Sequence, residues 1–169
     1  MHESDSGTPW QLWVDGTSLP NPGRIGLGAV LLSPAGERRE ISRIAPGTGC
    51  NNEAELQALC AGLTLAIEAG SRSLIVVSDS DFVVRHVRGE QVTAITRLLG
   101  WIDAARMSLA CFHSAELRWV PRHRNTEADR LARSALSLGP KGVKVKSRSR
   151  RSRRTDEHPQ ARTADIITI

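Results

Sequence analysis

The chain has 169 residues, of which 40% are hydrophobic, and this is enough for one domain with a single buried core. Three cysteines lie far apart without a CxxC pair, which argues against a disulfide framework or a zinc cluster and favours a reducing compartment. The N-terminal residues are too polar for a signal peptide, and no apolar run is long enough to span a bilayer. We therefore expect a cytoplasmic protein without membrane contact.

The net charge of +5 is concentrated near the C-terminus. Residues 141–154 carry eight of the 23 basic residues and no acid, whereas residues 1–138 carry 14 basic and 15 acidic side chains, a net of −1. An Arg/Ser run of this kind is typical of a disordered tail, and it would bind polyanions non-specifically or act in localisation. The predicted organisation is a disordered N-terminus (1–9), a folded domain (10–138) and a disordered basic tail (139–169).

The first part of the domain predicts a meander of three antiparallel strands. Alternating apolar residues place the first strand just before Asp15, and a Gly/Pro-rich loop follows. A buried strand over residues 25–33 and a polar edge strand over 38–44 come next, and residues 45–49 break the pattern. Asp15 either meets a ligand at the sheet edge or caps an Asx turn, and the residue taken alone favours the turn.

Helices and strands alternate in the rest of the domain. Apolar residues at helical spacing predict an amphipathic helix over 52–69, with Asn51 or Asn52 as its cap. The apolar run that ends at Asp79 predicts a buried parallel strand. Further predicted elements are helices over 80–87 and 93–110, a strand over 115–121 and a helix over 125–136. The order βββαβα(α)βα is that of an α/β protein whose mixed five-stranded sheet is flanked by helices.

Four acidic residues at element ends would meet in one crevice: Asp15, Glu55, Asp79 and Asp129. Singly, each is better explained as a cap or turn residue, although Glu53 already meets the helix-dipole preference and leaves Glu55 unexplained. Crowded carboxylates are tolerated chiefly when divalent cations neutralise them, and oxygen ligands favour magnesium or manganese. Two such ions, about 3.5–4 Å apart, would stabilise the attacking and leaving oxygens of a phosphodiester.

Four linked motifs run through the domain. They are Asp15-Gly16-Thr17 with Asn21-Pro22-Gly23, Asn51-Asn52-Glu53-Ala54-Glu55-Leu56, Ser78-Asp79-Ser80, and Trp119-Val120-Pro121-Arg122 leading to Asn125 and Ala128-Asp129. Together they resemble the type 1 ribonuclease H family over about residues 10–138. The resemblance implies a ribonuclease H-like fold with sheet order 3-2-1-4-5. It also implies cleavage of the RNA strand of RNA–DNA hybrids by metal-activated water, which leaves 5′-phosphate and 3′-hydroxyl ends.

The resemblance also assigns roles to individual residues. It makes Asp15, Glu55, Asp79 and Asp129 the catalytic and metal-binding quartet, with two Mg²⁺ or Mn²⁺ ions per site. His123 matches the histidine that assists product release, although a histidine between two arginines is as readily explained as solvated. The residues implied to contact the nucleic acid are Gly16, Thr17, Ser18, Asn21, Asn51, Asn52 and Ser80. We expect the enzyme to be a monomer.

Two departures from the family pattern concern the grip on substrate. Cys50 stands where many bacterial relatives have a phosphate-binding threonine, and a thiol is the weaker hydrogen-bond partner. Between Arg85 and Glu116 there is no lysine, so the basic protrusion of some relatives is missing. Residues 141–154 could supply the missing positive charge.

Two other functions stay open at this point. One is a non-catalytic nucleic-acid-binding module that keeps the fold and uses the basic tail for affinity. The other is a nuclease of the same fold that acts on double-stranded RNA or on RNA–DNA junctions. The complete quartet of acids argues against the first, and the altered phosphate pocket leaves room for the second.

Overall fold

The computed structural model describes residues 7–139. Its strands are β1 (Trp10–Leu19), β2 (Gly23–Leu32), β3 (Arg38–Gly49), β4 (Ser73–Ser78) and β5 (Ser114–Trp119). Its helices are α1 (Asn51–Glu68), α2 (Asp81–Arg88), α3 (Thr96–Leu109) and α4 (Thr126–Ala135), with a 3₁₀ turn at Arg122–Arg124 before α4. Within the described range, no helix has the length and apolar character needed to cross a membrane. The basic tail and most of the predicted disordered N-terminus lie outside the described residues.

The five strands form one mixed sheet in the order β3-β2-β1-β4-β5. The pairs β1/β2 and β2/β3 are antiparallel, whereas β1/β4 and β4/β5 are parallel. This arrangement confirms the α/β architecture that the sequence predicts and the strand order 3-2-1-4-5 that the family resemblance implies. The parallel pairing of β1 with β4 ends at Trp13 and Val77, so Asp15 and Asp79 each lie two residues beyond the paired segment.

Helices cover both faces of the sheet. Leu12 and Val14 of β1 lie against Gly62 of α1, and the main hydrophobic core lies between α1 and the sheet. On the other face α4 packs on β2, where a Cβ added at Gly28 would lie 2.2 Å from the carbonyl oxygen of Ala128. The missing side chain lets the backbones of β2 and α4 approach closely, and this fixes the position of α4.

Predicted strand ends differ from the structure by one or two residues in β2 and β5, and by more in β1 and β3. Strand β1 does not stop at Asp15: its parallel pairing with β4 ends at Trp13, but its antiparallel pairing with β2 continues to Leu19. Asp15 therefore lies inside a strand, and the Asx-turn interpretation is wrong. Strand β3 likewise runs on to Gly49, because residues 48 and 49 pair with the start of β2 after a register shift.

The predicted cap of α1 is also wrong. The helix begins at Asn51, and Cys50 occupies the N-cap position without a capping side-chain bond. The side chain of Asn51 is not available for capping because it accepts a hydrogen bond from Ser18 of β1. Helix α3 begins at Thr96, later than predicted, since the Ile95 N–H donates to the Thr93 hydroxyl in a local turn.

Candidate active site

Three carboxylates from three elements meet at the edge of the sheet. Asp15 comes from β1, Glu55 from the second turn of α1, and Asp79 follows the last residue of β4. One oxygen of each lies within 4.8 Å of the others, and we call these residues the acidic triad. Asp15 is 1% exposed, and Glu55 and Asp79 are partly exposed. Three of the four acids that were predicted to share one crevice are thus close together, although Asp15 does not lie at a strand end.

A glycine allows the triad to form. A Cβ added at Gly16 would lie 2.1 Å from the carbonyl carbon and oxygen of Ala54, and 2.5 Å from the nitrogen of Glu55. Strand β1 and the start of α1 are therefore in backbone contact. The Gly16 N–H also donates to Oε2 of Glu55 at 3.3 Å. Close approach and hydrogen bond together hold Glu55 beside the strand that carries Asp15.

Asp79 is held at both its backbone and its side chain. The Nε1–H of Trp119 donates to the carbonyl oxygen of Asp79 at 3.1 Å. Nδ2 of Asn125 donates to Oδ1 of Asp79 at 2.9 Å and to the carbonyl oxygen of Val14 at 2.8 Å. The sequence places Asn125 in the last of the four motifs and offers Asn125 or Thr126 as the cap of α4, but its partners, 46 and 111 residues away, leave no local signal.

The fourth acid, Asp129, lies in the first turn of α4 and is outside the triad. The guanidinium of Arg122 stands between them, with Nη2 3.5 Å from Oδ1 of Asp129 and Nε 3.9 Å from Oδ2 of Asp79. Arg122 is exposed and comes from the turn before α4. Sequence reasoning did not assign Arg122 to the site; its place in the Trp-Val-Pro-Arg motif, seven residues before Asp129, is the available signal.

The hairpin between β1 and β2 is tied to the start of α1. The Ser18 N–H donates to Oδ1 of Asn51 at 2.9 Å, and the Asn51 N–H donates to Oδ1 of Asn21 at 3.1 Å. The Ser18 hydroxyl donates to the carbonyl oxygen of Gly49 at 2.6 Å. Ser18, Asn21 and Asn51, all predicted nucleic-acid contacts, therefore form one cluster, which we call the hairpin clasp. Its two asparagines are exposed.

A family model described as "Reverse transcriptase-like" matches residues 13–135. Ribonuclease HI of Halobacterium salinarum is 33% identical over 134 residues, which cover 79% of this chain and 67% of that protein. The chain belongs to the ribonuclease H family of hydrolases. Bifunctional protein Rv2228c of Mycobacterium tuberculosis is 38% identical over 125 residues, 73% of this chain but 34% of that protein. The chain thus spans about a third of the length of this relative.

Solved structures of ribonucleases H have the same fold. The crystal structure of RNase H1 from Halobacterium salinarum has a TM-score of 0.73 at 33% identity, covering 77% of this chain and 98% of that one. LC11-RNase H1, solved in complex with an RNA/DNA hybrid, has a TM-score of 0.69 at 25% identity, covering 76% and 96%. The similarity therefore extends over nearly the whole of each solved ribonuclease H.

The acidic triad fits the divalent cation on which the ribonuclease H family depends. It offers only carboxylate oxygens, the donors that hard divalent cations prefer. Burial, together with the charges of Asp15 and Asp79, raises the pKa of Glu55 well above its usual value, and the Gly16 N–H opposes this only in part. A bound cation would neutralise the mutual repulsion of the three carboxylates.

Glu55→Gln should stabilise the metal-free protein. Because the folded state raises the pKa of Glu55, it binds the proton more tightly than the unfolded state, so stability falls as pH rises from about 4.5 through the raised value. Glutamine cannot ionise and keeps an oxygen for the Gly16 N–H. In chelator at pH 8 we expect Tm to rise by about 3–6 °C, with the difference vanishing near pH 4. A lower Tm for the variant at pH 8 would contradict this account.

The remaining predicted residues lie near the site but make structural contacts or none. Ser80 is the N-cap of α2, with its hydroxyl oxygen accepting from the Val83 N–H at 3.3 Å. His123 is exposed and makes no hydrogen bond or ion pair with any residue in the described part of the chain. Thr17 and Asn52 are partly exposed beside the hairpin clasp. Their roles in catalysis or nucleic-acid binding stay predictions.

Cys50, which stands where many bacterial relatives have a phosphate-binding threonine, has a positively charged side chain nearby. Nη2 of Arg97, from α3, lies 4.0 Å from Sγ of Cys50. Nε of the same side chain pairs with Glu53 at 3.3 Å, and Arg97 remains 60% exposed. The weak thiol partner is thus accompanied by an accessible guanidinium.

Proposed function

We propose that the protein is an endoribonuclease that cleaves the RNA strand of RNA–DNA hybrids, using two Mg²⁺ or Mn²⁺ ions and leaving 5′-phosphate and 3′-hydroxyl ends. The acidic triad carries this proposal, because three carboxylates within 4.8 Å form a ready set of oxygen ligands at the carboxyl end of β4. Two bound cations would activate a water and stabilise the charge on the attacking and leaving oxygens. Asp15, Glu55, Asp79 and Asp129 are the proposed ligands.

The chain's own residues make the site rigid before any ligand arrives. Asp15 is buried within a strand, Glu55 is held by the Gly16 N–H, and Asp79 by Asn125. Carboxylates fixed in this way need little reorganisation when a substrate phosphate enters, and such preorganisation is a major source of catalysis. Arg122, beside Asp79 and Asp129, balances part of the negative charge from the solvent side.

The hairpin clasp supports hybrid recognition. Its two asparagine side chains are exposed, and Asn51 precedes Glu55 by four residues on α1. Their amide groups can donate to the 2′-hydroxyl groups that distinguish RNA from DNA. We assign nucleic-acid contacts to the clasp and to its neighbours Gly16, Thr17, Asn52 and Ser80. The solved complex of LC11-RNase H1 with an RNA/DNA hybrid supports this substrate for a protein of the same fold. We further propose that the protein is a cytoplasmic monomer.

A cleavage assay tests the proposal. One labelled RNA strand is presented as a hybrid with DNA, as an RNA duplex and alone, each with Mg²⁺, Mn²⁺ or chelator. We expect cutting of the hybrid alone, only with metal, and products whose new 5′ ends are digested by a 5′-phosphate-dependent exonuclease. Hybrid binding without cutting in either metal would identify a non-catalytic binding module. Preferred cutting of the duplex or of a junction would identify a same-fold nuclease with another substrate.

Deleting residues 141–169 should weaken hybrid binding without changing the chemical step. The eight basic residues of 141–154 would each add a phosphate contact that salt screens. We expect Kd for hybrid to rise about tenfold at low salt, its salt dependence to become shallower, and kcat to stay within about twofold. A matched chain of full length, with the eight basic residues changed to serine, should behave like the deletion. Unchanged affinity and salt slope would show that the tail does not bind substrate.

A further inference from the structure

The buried side chain of Asn125 connects three elements of the fold. The residue is 1% exposed and precedes α4, and its single amide group donates to the Val14 carbonyl of β1 and to Oδ1 of Asp79 after β4. A side-chain amide has two N–H hydrogens, so these two bonds use its full donor capacity. Asn125 therefore joins the backbone of the strand that carries Asp15 to the carboxylate of Asp79.

Helix capping does not explain this residue. Asn125 occupies the N-cap position of α4, yet its side chain makes no capping bond, and only its backbone carbonyl accepts from the Asp129 N–H. Its Oδ1 is buried without a hydrogen-bond partner among residues 7–139. An unsatisfied buried oxygen is costly, whereas a serine or threonine could cap the helix through its hydroxyl oxygen. What an asparagine provides here is the pair of hydrogen bonds that its Nδ2 donates to Val14 and Asp79.

The bond from Asn125 fixes the orientation of the Asp79 carboxylate. Oδ1 faces Asn125 at 2.9 Å, while Oδ2 lies on the side of Arg122, 3.9 Å from its Nε. The amide of Asn125 orients the carboxylate without adding a positive charge of its own, so it does not lower the affinity of Asp79 for a cation. A lysine or arginine in the same place would orient it and neutralise it together.

We propose that Asn125 is a positioning residue for metal binding: it holds one oxygen of Asp79 in a hydrogen bond and keeps the other turned toward the cation. This role rests on the proposed function, since it assumes that Asp79 is a ligand. Residues that orient a metal-binding carboxylate typically contribute 10- to 100-fold to metal affinity or activity. Asn125 is 1% exposed and then acts on the reaction through Asp79.

The test measures metal binding without substrate. The full chain is titrated with Mg²⁺ and with Mn²⁺, and the rise in Tm with metal concentration gives the concentration that equals the dissociation constant. For Asn125→Ala we expect this concentration to increase about tenfold or more. In cleavage assays at a fixed, subsaturating metal concentration, kcat should fall by a similar factor while KM for hybrid changes less than about threefold.

Ser42→Ala is the matched control. The Ser42 hydroxyl donates to the carbonyl oxygen of Leu131 at 2.8 Å, so this change also removes a side-chain bond that holds α4 on the sheet, but one far from Asp79. We expect it to lower Tm without moving the metal titration. Asn125→Ser is a second, milder variant, because a hydroxyl has one hydrogen to donate and cannot serve Val14 and Asp79 together. It should shift the titration in the same direction as Asn125→Ala.

These measurements distinguish failure of the positioning role from failure of the proposed function. If Asn125→Ala and Asn125→Ser lower Tm like Ser42→Ala but titrate with metal like the unaltered protein, Asn125 is merely structural and the inference is wrong. If the unaltered protein neither gains stability from metal nor cleaves hybrid, the proposed function fails, and the positioning role fails with it.

Discussion

Asp15→Asn should abolish cleavage, lowering kcat for hybrid by roughly 10³-fold or more. Asp15 is the most buried acid of the triad and lies inside β1. A neighbouring carboxylate therefore has no space to take over its role. Asparagine has the same shape but is neutral, so the site loses one of the charges that attract cations. The fold should persist, and hybrid affinity measured in chelator should stay within about threefold.

Asp81→Asn provides the control for this change. Asp81 lies in the first turn of α2, only two residues beyond Asp79, but its side chain is exposed and pairs with Arg85 at 2.8 Å. The same chemical change there should leave kcat within about twofold. Equal activity of Asp15→Asn and the unaltered protein would remove the triad from the mechanism.

Gly16→Ala should disrupt both stability and activity. The added Cβ would fall 2.1 Å from the Ala54 carbonyl, and since backbone atoms cannot rotate away, β1 and α1 must separate. Overpacking of this kind costs about 1–3 kcal/mol, and moving Glu55 from Asp15 by even 1 Å misplaces the site. We expect Tm to fall by about 5–10 °C and kcat to fall at least 100-fold.

Gly100→Ala makes the same substitution where there is room for it. Gly100 lies within α3, and an added Cβ meets no atom within 4 Å. Alanine is the better helix former, so Tm should stay the same or rise, with activity unchanged. If Gly16→Ala behaved like Gly100→Ala, the contact between β1 and α1 would not be what assembles the triad.

Local patterns predicted the elements of this fold well and their ends less well. The strand after Asp15 was missed because Gly16 and the prolines that follow favour a loop locally, whereas pairing with β2 extends the strand to Leu19. The start of α1 was assigned to an asparagine cap because no local signal shows that Asn51 is bound to Ser18. In both places a contact between distant segments overrides the local preference.

The candidate site shows the same difference between local sequence signals and contacts of distant segments. Asp15, Glu55 and Asp79 were predicted to meet because each follows from its place on a strand or helix and from the resemblance to a family. Asn125 and Arg122 were missed as members of the site, since their contacts depend on how α4 and the turn before it dock on the sheet. Docking of this kind is set by glycines on β2, and a glycine gives no indication of its partner in the sequence.

The change of partner along β1 affects when the protein can become active. Pairing with β4 stops at Trp13, and the next carbonyl, that of Val14, is bound by Asn125 instead of by a strand. A side chain from 111 residues later thus completes the edge of the first strand. Since a ribosome makes the chain from its N-terminus, the meander of β1, β2 and β3 can form early, but the candidate site is finished only after α4 has been synthesised and docked. Nascent chains that end before α4 should therefore be inactive.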